Sequence, residues 1–168
     1  MKTWRAIDSA VKNNLYGKGV PGEGNRKAKV VLVGEAPGKS ETLYGRPFIG
    51  REGRMLRRVL DEAGIDLKDV YITNAVKVRP PGNRTPTTDE INYWRPTLMA
   101  ELNLVNSEQI IALGNTARRA IYQRPREAKI LFLPHPEALR GGRKFLSGLK
   151  KGLETASERL KSKKDSFY

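Results

Sequence analysis

The order of apolar and polar residues along the chain predicts alternating helices and strands. In residues 3–15, the apolar side chains of Trp4, Ile7, Val11 and Leu15 recur at helical spacing and share one face. Four short runs of β-branched and aliphatic residues follow, each typical of a buried parallel strand, at 30–33, 70–73, 109–113 and 129–133. Strands that alternate with helical segments predict an α/β fold with a parallel sheet.

Helices are predicted between these strands, over residues 51–63, 89–104 and 115–122, and over a basic C-terminal stretch at about 143–163. We expect Thr88 to cap the second of them, because Asp89 and Glu90 would lie in its first turn. Residues 17–25 and 39–49 have the composition of loops. We therefore expect a single domain over residues 1–168, built as a three-layer α/β/α fold around a central four-stranded parallel sheet.

Composition narrows the functional classes. A chain of 168 residues with 38% hydrophobic residues can build one modest core, and no apolar run is long enough to span a bilayer. The formal net charge of +14 indicates a polyanionic partner, for which we favour nucleic acid over a membrane surface. The chain has no cysteine and one histidine, which excludes disulfides, thiolate ligands and a His-rich metal site.

Candidate functional residues follow the predicted strands at the point where each strand ends. Residues 34–38 (GEAPG) follow the first, Asn74 the second, Gly114 and Asn115 the third, and His135 the fourth. Open parallel sheets bind ligands at the carboxyl ends of their strands, so these residues are expected to surround one site.

The stretch at residues 34–40, GEAPGKS, resembles a phosphate-binding P-loop only superficially. The Walker pattern places a glycine five residues before the Gly-Lys pair, and here that position is Val33. Pro37 also lacks the N–H that a phosphate nest requires, and Glu35 would repel phosphate. A nucleoside triphosphatase is therefore not expected.

Three stretches in this order carry a resemblance to a known family: GEAPGKSETLYGRPFIG at 34–50, VYITNAVKVRPP at 70–81 and HPEALR at 135–140. The chain resembles the uracil-DNA glycosylase superfamily, and most closely its family 4. Enzymes of this kind flip a nucleotide out of DNA and read its base in a pocket. The resemblance implies that Phe48 stacks on the base, that Asn74 pairs with uracil O4 and N3–H, and that His135 stabilises the departing base at O2.

The first motif departs from the prototypical uracil glycosylases at two positions. The resemblance places their water-positioning Asp at Ala36 and their thymine-excluding Tyr at Gly38, both in the base-binding loop that begins at Gly34. Glu35 and Glu41 are the neighbouring acids, and either could hold the attacking water or stabilise the glycosyl cation. We favour Glu35 as the catalytic carboxylate and assign thymine exclusion to Glu41.

The resemblance also implies a DNA-binding set. Leu139 matches the residue that fills the gap left by the flipped base, and basic residues after it are expected to hold phosphates. The complete expected set is Pro80, Pro81, Gly114, Asn115, Leu139, Arg140, Arg143 and Lys144.

Family 4 enzymes usually carry a four-iron four-sulfur cluster on four cysteines. The matching positions here are Val78 and, less closely, Trp94, with an N-terminal pair near Val11 and Asn14. None is a cysteine, so we expect no cofactor and apolar packing in place of the cluster.

The sequence therefore predicts a cytoplasmic, nucleoid-associated, monomeric hydrolase of a prokaryote or virus-infected cell that releases uracil from single- or double-stranded DNA. Two alternatives stay open. One is a glycosylase for another deaminated or modified base, such as hypoxanthine or xanthine. The other is a catalytically inactive DNA-binding homologue, although a mere binder would need none of Phe48, Asn74 and His135.

Overall fold

The computed structural model describes residues 1–62, 64–121 and 128–133, and also positions 147, 151, 154 and 158. These four positions are helical and exposed, and they fall in the stretch where the sequence predicts a basic helix. Tyr122, at the end of the predicted helix 115–122, and the other residues of the basic stretch lie outside the described residues. In the described ranges, no helix has the length and apolar character needed to cross a membrane.

In the described part of the chain, the sheet has five strands in the order β1-β3-β2-β4-β5. They are β1 (Glu23–Gly24), β2 (Val30–Gly34), β3 (Val70–Asn74), β4 (Gln109–Leu113) and β5 (Lys129–Leu133). The four predicted strands are parallel to one another, which confirms the α/β fold class, and β1 pairs antiparallel with β3. The predicted loop at 17–25 thus contains a fifth strand, too short to produce an alternating pattern.

Within residues 1–62 and 64–121, five α-helices connect or cover the strands: α1 (Trp4–Lys12), α2 (Lys39–Tyr44), α3 (Arg51–Glu62), α4 (Thr88–Val105) and α5 (Asn115–Ala120). Single 3₁₀ turns lie at Leu67–Asp69 and Pro81–Asn83. The expectation of a loop at 39–49 is wrong in its first half, which forms α2. This helix ends at Gly45, whose left-handed φ of 67° suits glycine.

The N-cap of α4 is one residue earlier than expected. The Thr87 hydroxyl accepts a hydrogen bond from the Glu90 backbone, and the Glu90 carboxylate accepts one from the Thr87 backbone. This reciprocal capping box satisfies two of the free N–H groups at the helix start. The expected cap at Thr88 is therefore wrong, because Thr88 is already helical.

The two faces of the sheet carry separate apolar layers, which gives the three-layer α/β/α architecture. Alternate strand residues point to opposite faces. Val31, Tyr71 and Ile110 pack against α1, α4 and α5, whereas Leu32 and Ile72 pack against α3. The strands read as continuous apolar runs because both faces are buried.

Candidate active site

A cleft of about 280 Å³ opens at the carboxyl ends of β2, β3 and β4. The chain leaves β2 over the α3 face of the sheet to reach β3, and it leaves β4 through α5 on the opposite face. Neighbouring strands whose connections diverge in this way create the crevice in which open α/β sheets bind ligands. Of the strand-end residues expected at one site, residues 34–38 and Asn74 line this cleft.

Gly34 lies where an aromatic ring and an amide meet. It pairs with Asn74 across β2 and β3. A Cβ atom at position 34 would lie 2.4 Å from the Phe48 Cζ and 2.6 Å from the Asn74 Oδ1. Any other residue would push these two side chains out of place. The absence of a side chain at Gly34 thus lets the Phe48 ring and the Asn74 amide line the same part of the cleft.

Phe48 is held in a backbone conformation that non-glycine residues rarely adopt, with φ of 54°. The Arg57 guanidinium donates hydrogen bonds to the carbonyls of Phe48 (2.8 Å) and Pro47 (3.0 Å). Helix α3 also presses closely on this residue, since a Cβ at Gly53 would lie 2.1 Å from the Phe48 carbonyl carbon. These contacts hold the main chain at Phe48 in place.

Arg57 is itself tied to a surface ion pair. Glu23 on β1 lies 3.9 Å from Arg57 and accepts two hydrogen bonds from Arg46. Partial burial lowers the pKa of Arg57, and the Glu23 carboxylate opposes that shift. Arg46 lowers the pKa of Glu23. The unpredicted strand β1 therefore supplies a carboxylate to the support of the Phe48 loop.

Asn74 is 5% exposed. Within the described part of the chain, its amide makes no hydrogen bond, and it lines the cleft. The atoms of this unpaired amide are open to the cleft rather than shut off from solvent, so both can pair with a ligand that offers one donor and one acceptor.

The two candidate catalytic carboxylates both line the cleft. Glu35 Oε2 accepts a hydrogen bond from the Thr116 hydroxyl at 2.7 Å, and Glu41 Oε1 accepts one from the Gly50 backbone at 3.1 Å. Among the described residues, the second oxygen of each carboxylate has no hydrogen-bond donor. Each acid is thus oriented by one contact and retains one oxygen for a water molecule or a developing cation.

The remaining predicted residues divide into three groups. Ala36 and Gly38, expected in the base-binding loop, and Pro80, expected to contact DNA, line the cleft. Pro81, Gly114 and Asn115 do not line it. The last group lies outside the described residues and comprises His135, Leu139, Arg140, Arg143 and Lys144.

The sequence analysis missed Arg57, Thr116 and Arg84. Arg84 lines the cleft and makes a two-pronged ion pair with Glu90, at 2.9 and 2.8 Å. Mainly through that hydrogen bonding, Arg84 lowers the pKa of Glu90 to about 2. The contacts of these three residues join separate elements of the fold, so no local sequence pattern predicts them.

A family model described as the uracil DNA glycosylase superfamily matches residues 21–154. The chain belongs to this superfamily. The match includes the whole sheet and the cleft, so the architecture and the strand-end site are those of a superfamily member.

Several curated relatives within or close to this superfamily are similar to the chain. A type-4 uracil-DNA glycosylase of Thermotoga maritima is 50% identical over 98 residues, which are 58% of this chain and 51% of the relative. One of Archaeoglobus fulgidus is 45% identical over 103 residues, 61% of this chain and 52% of the relative. A type-5 uracil-DNA glycosylase of Pyrobaculum aerophilum is 35% identical over 123 residues, 64% and 54% respectively. The chain spans about half the length of the curated relatives it matches.

The positions that the resemblance matches to cluster ligands do not fit an iron–sulfur cluster. The structure gathers them: Val11 and Trp94 belong to one core cluster, and Val78 packs against it. The Asn14 amide donates to the carbonyls of Val11 and Gly17. Two apolar side chains, an indole and an amide supply no thiolate, so this donor set cannot hold iron in a cluster.

Hydrogen bonds, in addition to apolar packing, stabilise this region. Asn14 Oδ1 accepts from the backbone N–H groups of Tyr16 and Gly17. Val20 donates to the Lys77 carbonyl at 2.7 Å, and Gly19 forms a β-bridge with Val78. The expectation that packing alone replaces the cluster is therefore incomplete, because a network of main-chain bonds joins the same segments.

Proposed function

We propose that this chain is a DNA glycosylase that flips uracil out of DNA and hydrolyses its N-glycosidic bond. The observation that carries the proposal is the convergence of the Phe48 ring and the unpaired Asn74 amide at Gly34. Two carboxylates line the same cleft, which favours an enzyme over an inactive DNA-binding homologue. The printed names of the type-4 relatives agree with this activity.

Base recognition follows from the chemistry of the amide. The Asn74 Nδ2 would donate to uracil O4, and its Oδ1 would accept from N3–H, with the base stacked on Phe48. Cytosine presents a donor at position 4 and an acceptor at N3, so it would leave both amide atoms mismatched. Discrimination between uracil and cytosine therefore resides in one side chain.

Bond cleavage requires charge stabilisation on both sides of the glycosidic bond. Glu35 or Glu41 would orient the water that attacks the sugar carbon and would stabilise positive charge on the sugar. His135 would donate to uracil O2 as negative charge develops on the departing base. The products are free uracil and an abasic sugar that carries the hydroxyl of the water.

The electrostatics support DNA as the substrate. The net charge is +14, and Lys39, Arg51 and Arg84 lie around the cleft. Basic side chains there would hold the phosphates that flank the flipped nucleotide. We infer a single-domain monomer that works on single- or double-stranded DNA, and accordingly a nucleoid-associated location in the cytoplasm.

A cleavage assay tests the proposal. Oligonucleotides that carry one uracil, hypoxanthine, xanthine or thymine are incubated with the protein, and the released base and the abasic strand are measured. We expect release of uracil and none of thymine. Release of hypoxanthine or xanthine instead would show that the substrate is another deaminated base. Tight DNA binding without release of any base would identify an inactive binding protein.

A further inference from the structure

A fully buried ion pair lies on the opposite side of the sheet from the Asn74 side chain. Lys77, the third residue after β3, is paired with Glu101 in the C-terminal half of α4. Both side chains are 0–1% exposed. Neither residue lines the cleft, so the mechanism above does not use them.

The three N–H groups of the Lys77 ammonium meet three acceptors. They are the Thr73 hydroxyl at 2.6 Å, the Asn74 main-chain carbonyl at 2.6 Å, and Glu101 Oε2. Glu101 Oε1 accepts in turn from the hydroxyls of Tyr71 (2.9 Å) and Thr73 (3.0 Å). Burial lowers the pKa of Lys77, and Glu101 opposes that shift. The fit of three donors to three acceptors matches the protonated side chain.

Stability alone does not account for such a pair. Moving two charges out of water is costly, and well-packed apolar residues of similar volume are often equally stabilising. The contact that apolar residues could not reproduce is the hydrogen bond from Lys77 to the Asn74 carbonyl. β1 pairs with β3 only at Tyr71 and Ile72 and does not reach Asn74. Lys77 therefore supplies a donor to the end of β3, past the point where the edge strand β1 stops pairing with it.

We propose that Lys77, held by Glu101, is a positioning residue that fixes the orientation of the Asn74 peptide so that the Asn74 amide points into the cleft. The two groups lie on opposite sides of the sheet. Tyr71 and Thr73 point toward α4 and the buried pair, whereas Asn74 points toward Phe48. A bond to the Asn74 carbonyl from the α4 side thus controls the direction of the side chain on the other side. This inference rests on the proposed base-reading role of Asn74.

The test separates positioning from stability with the double variant Lys77→Met, Glu101→Gln. The glutamine oxygen still accepts from Tyr71 and Thr73, and no charge stays buried, so we expect a melting temperature close to that of the parent protein. The Asn74 carbonyl loses its donor, so we expect single-turnover uracil release to fall about 10- to 100-fold. Affinity for undamaged DNA should not change. The matched control Thr73→Val keeps the bond from Lys77 to Asn74 and should retain the parent rate.

A second readout does not depend on activity. The side-chain amide signals of Asn74 in a ¹⁵N–¹H spectrum, assigned by their loss in Asn74→Asp, should shift or broaden in the double variant and stay in place in Thr73→Val. If the parent protein releases no uracil, the proposed function is wrong. The Asn74 amide signals would then still test the positioning role of Lys77. A folded double variant with parent signals and, where the parent is active, the parent rate would overturn the inference. A double variant that does not fold would also overturn it, because the pair would then be a requirement for folding.

Discussion

Arg57 holds Phe48 by its main chain rather than by its ring. The guanidinium donates to the Phe48 carbonyl at 2.8 Å and to the preceding carbonyl of Pro47 at 3.0 Å. Phe48 has φ of 54°, a conformation that costs free energy and persists only where the surroundings enforce it. The proposed stacking surface for the base is thus set by an arginine on the neighbouring helix.

Replacement of Arg57 by methionine should therefore disturb the Phe48 loop. Two partly buried carbonyls would lose their donor, at about 1–3 kcal/mol for each group left unsatisfied. We expect uracil release under single-turnover conditions to slow about 10- to 100-fold as the ring leaves its position. The control Arg58→Met removes a charge from the exposed neighbour on α3. Equal rates for the two variants would show that Arg57 acts only through its charge.

Asn74→Asp should abolish recognition of uracil. The amide donor becomes an acceptor, which faces uracil O4 and leaves unpaired buried groups at a cost of about 1–3 kcal/mol or more. Uracil release should collapse, and a trace of activity on cytosine should appear, since cytosine offers an N4 donor. The control Asn103→Asp makes the same change at an exposed position of α4. Undiminished uracil release by Asn74→Asp would remove Asn74 from the site.

The sheet could be predicted from the sequence because its parallel strands are buried on both faces. Val30 to Val33 form a continuous apolar run, and the glycine after it marks the end of the strand. β1 and α2 could not be predicted, because long-range contacts stabilise them. Glu23 on β1 binds Arg46, and Glu41 on α2 binds the Gly50 backbone. Neither segment has an apolar periodicity of its own.

The candidate site was predictable to a similar extent. The strand-end rule placed Gly34 and Asn74 together, and the resemblance supplied Phe48. The supporting residues escaped because they act over long sequence separations. Lys77 stands in an otherwise apolar run, which is an unusual place for a charge, but its partner Glu101 lies 24 residues away. A one-dimensional pattern does not encode such a pairing.

The two carboxylates can be told apart by conversion to amides. Glu35→Gln removes the charge that would orient water, and a lost general base typically costs about 10²–10⁴-fold in rate. Glu41→Gln retains an oxygen that can accept from Gly50, so it should keep the loop in place. We expect the larger loss of single-turnover rate from Glu35→Gln, with both variants binding undamaged DNA normally. The reverse order would assign the water to Glu41.

Acid should destabilise the protein partly through Glu90. Its pKa is lowered to about 2 from an ordinary value of 4.5, so its contribution to stability is complete above pH 4.5 and is lost as the pH falls toward 2. The shift corresponds to about 3 kcal/mol, reduced to about 1–2 kcal/mol by solvent screening, because Arg84 is 43% exposed.

Glu90→Gln keeps a side chain that can complete the capping box and removes only the charge. Its free energy of unfolding should be lower than that of the parent at pH 7 and should depend less on pH between 4.5 and 2. Denaturant titrations at several pH values measure this. Asp89→Asn, an exposed change in the same helical turn, serves as the control. If the free energies of unfolding of the parent and Glu90→Gln fall equally between pH 4.5 and 2, the stabilising role of the Arg84–Glu90 ion pair is contradicted.

Trp94 should carry much of the stability of the region that the family resemblance matches to a metal cluster. It is 1% exposed, and the ring of Tyr93 packs edge-on against it at a centroid separation of 5.1 Å. Trp94→Ala should lower the free energy of unfolding by about 3–5 kcal/mol, because it opens a large cavity. Among the residues that the structure describes, none accepts a hydrogen bond from the Trp94 Nε1, so Trp94→Phe removes only volume and should cost less. The purified protein should contain no stoichiometric iron by elemental analysis, and chelators should not change its activity. A bound metal, or an alanine variant as stable as the parent, would contradict the view that packing and main-chain bonds have replaced the cluster.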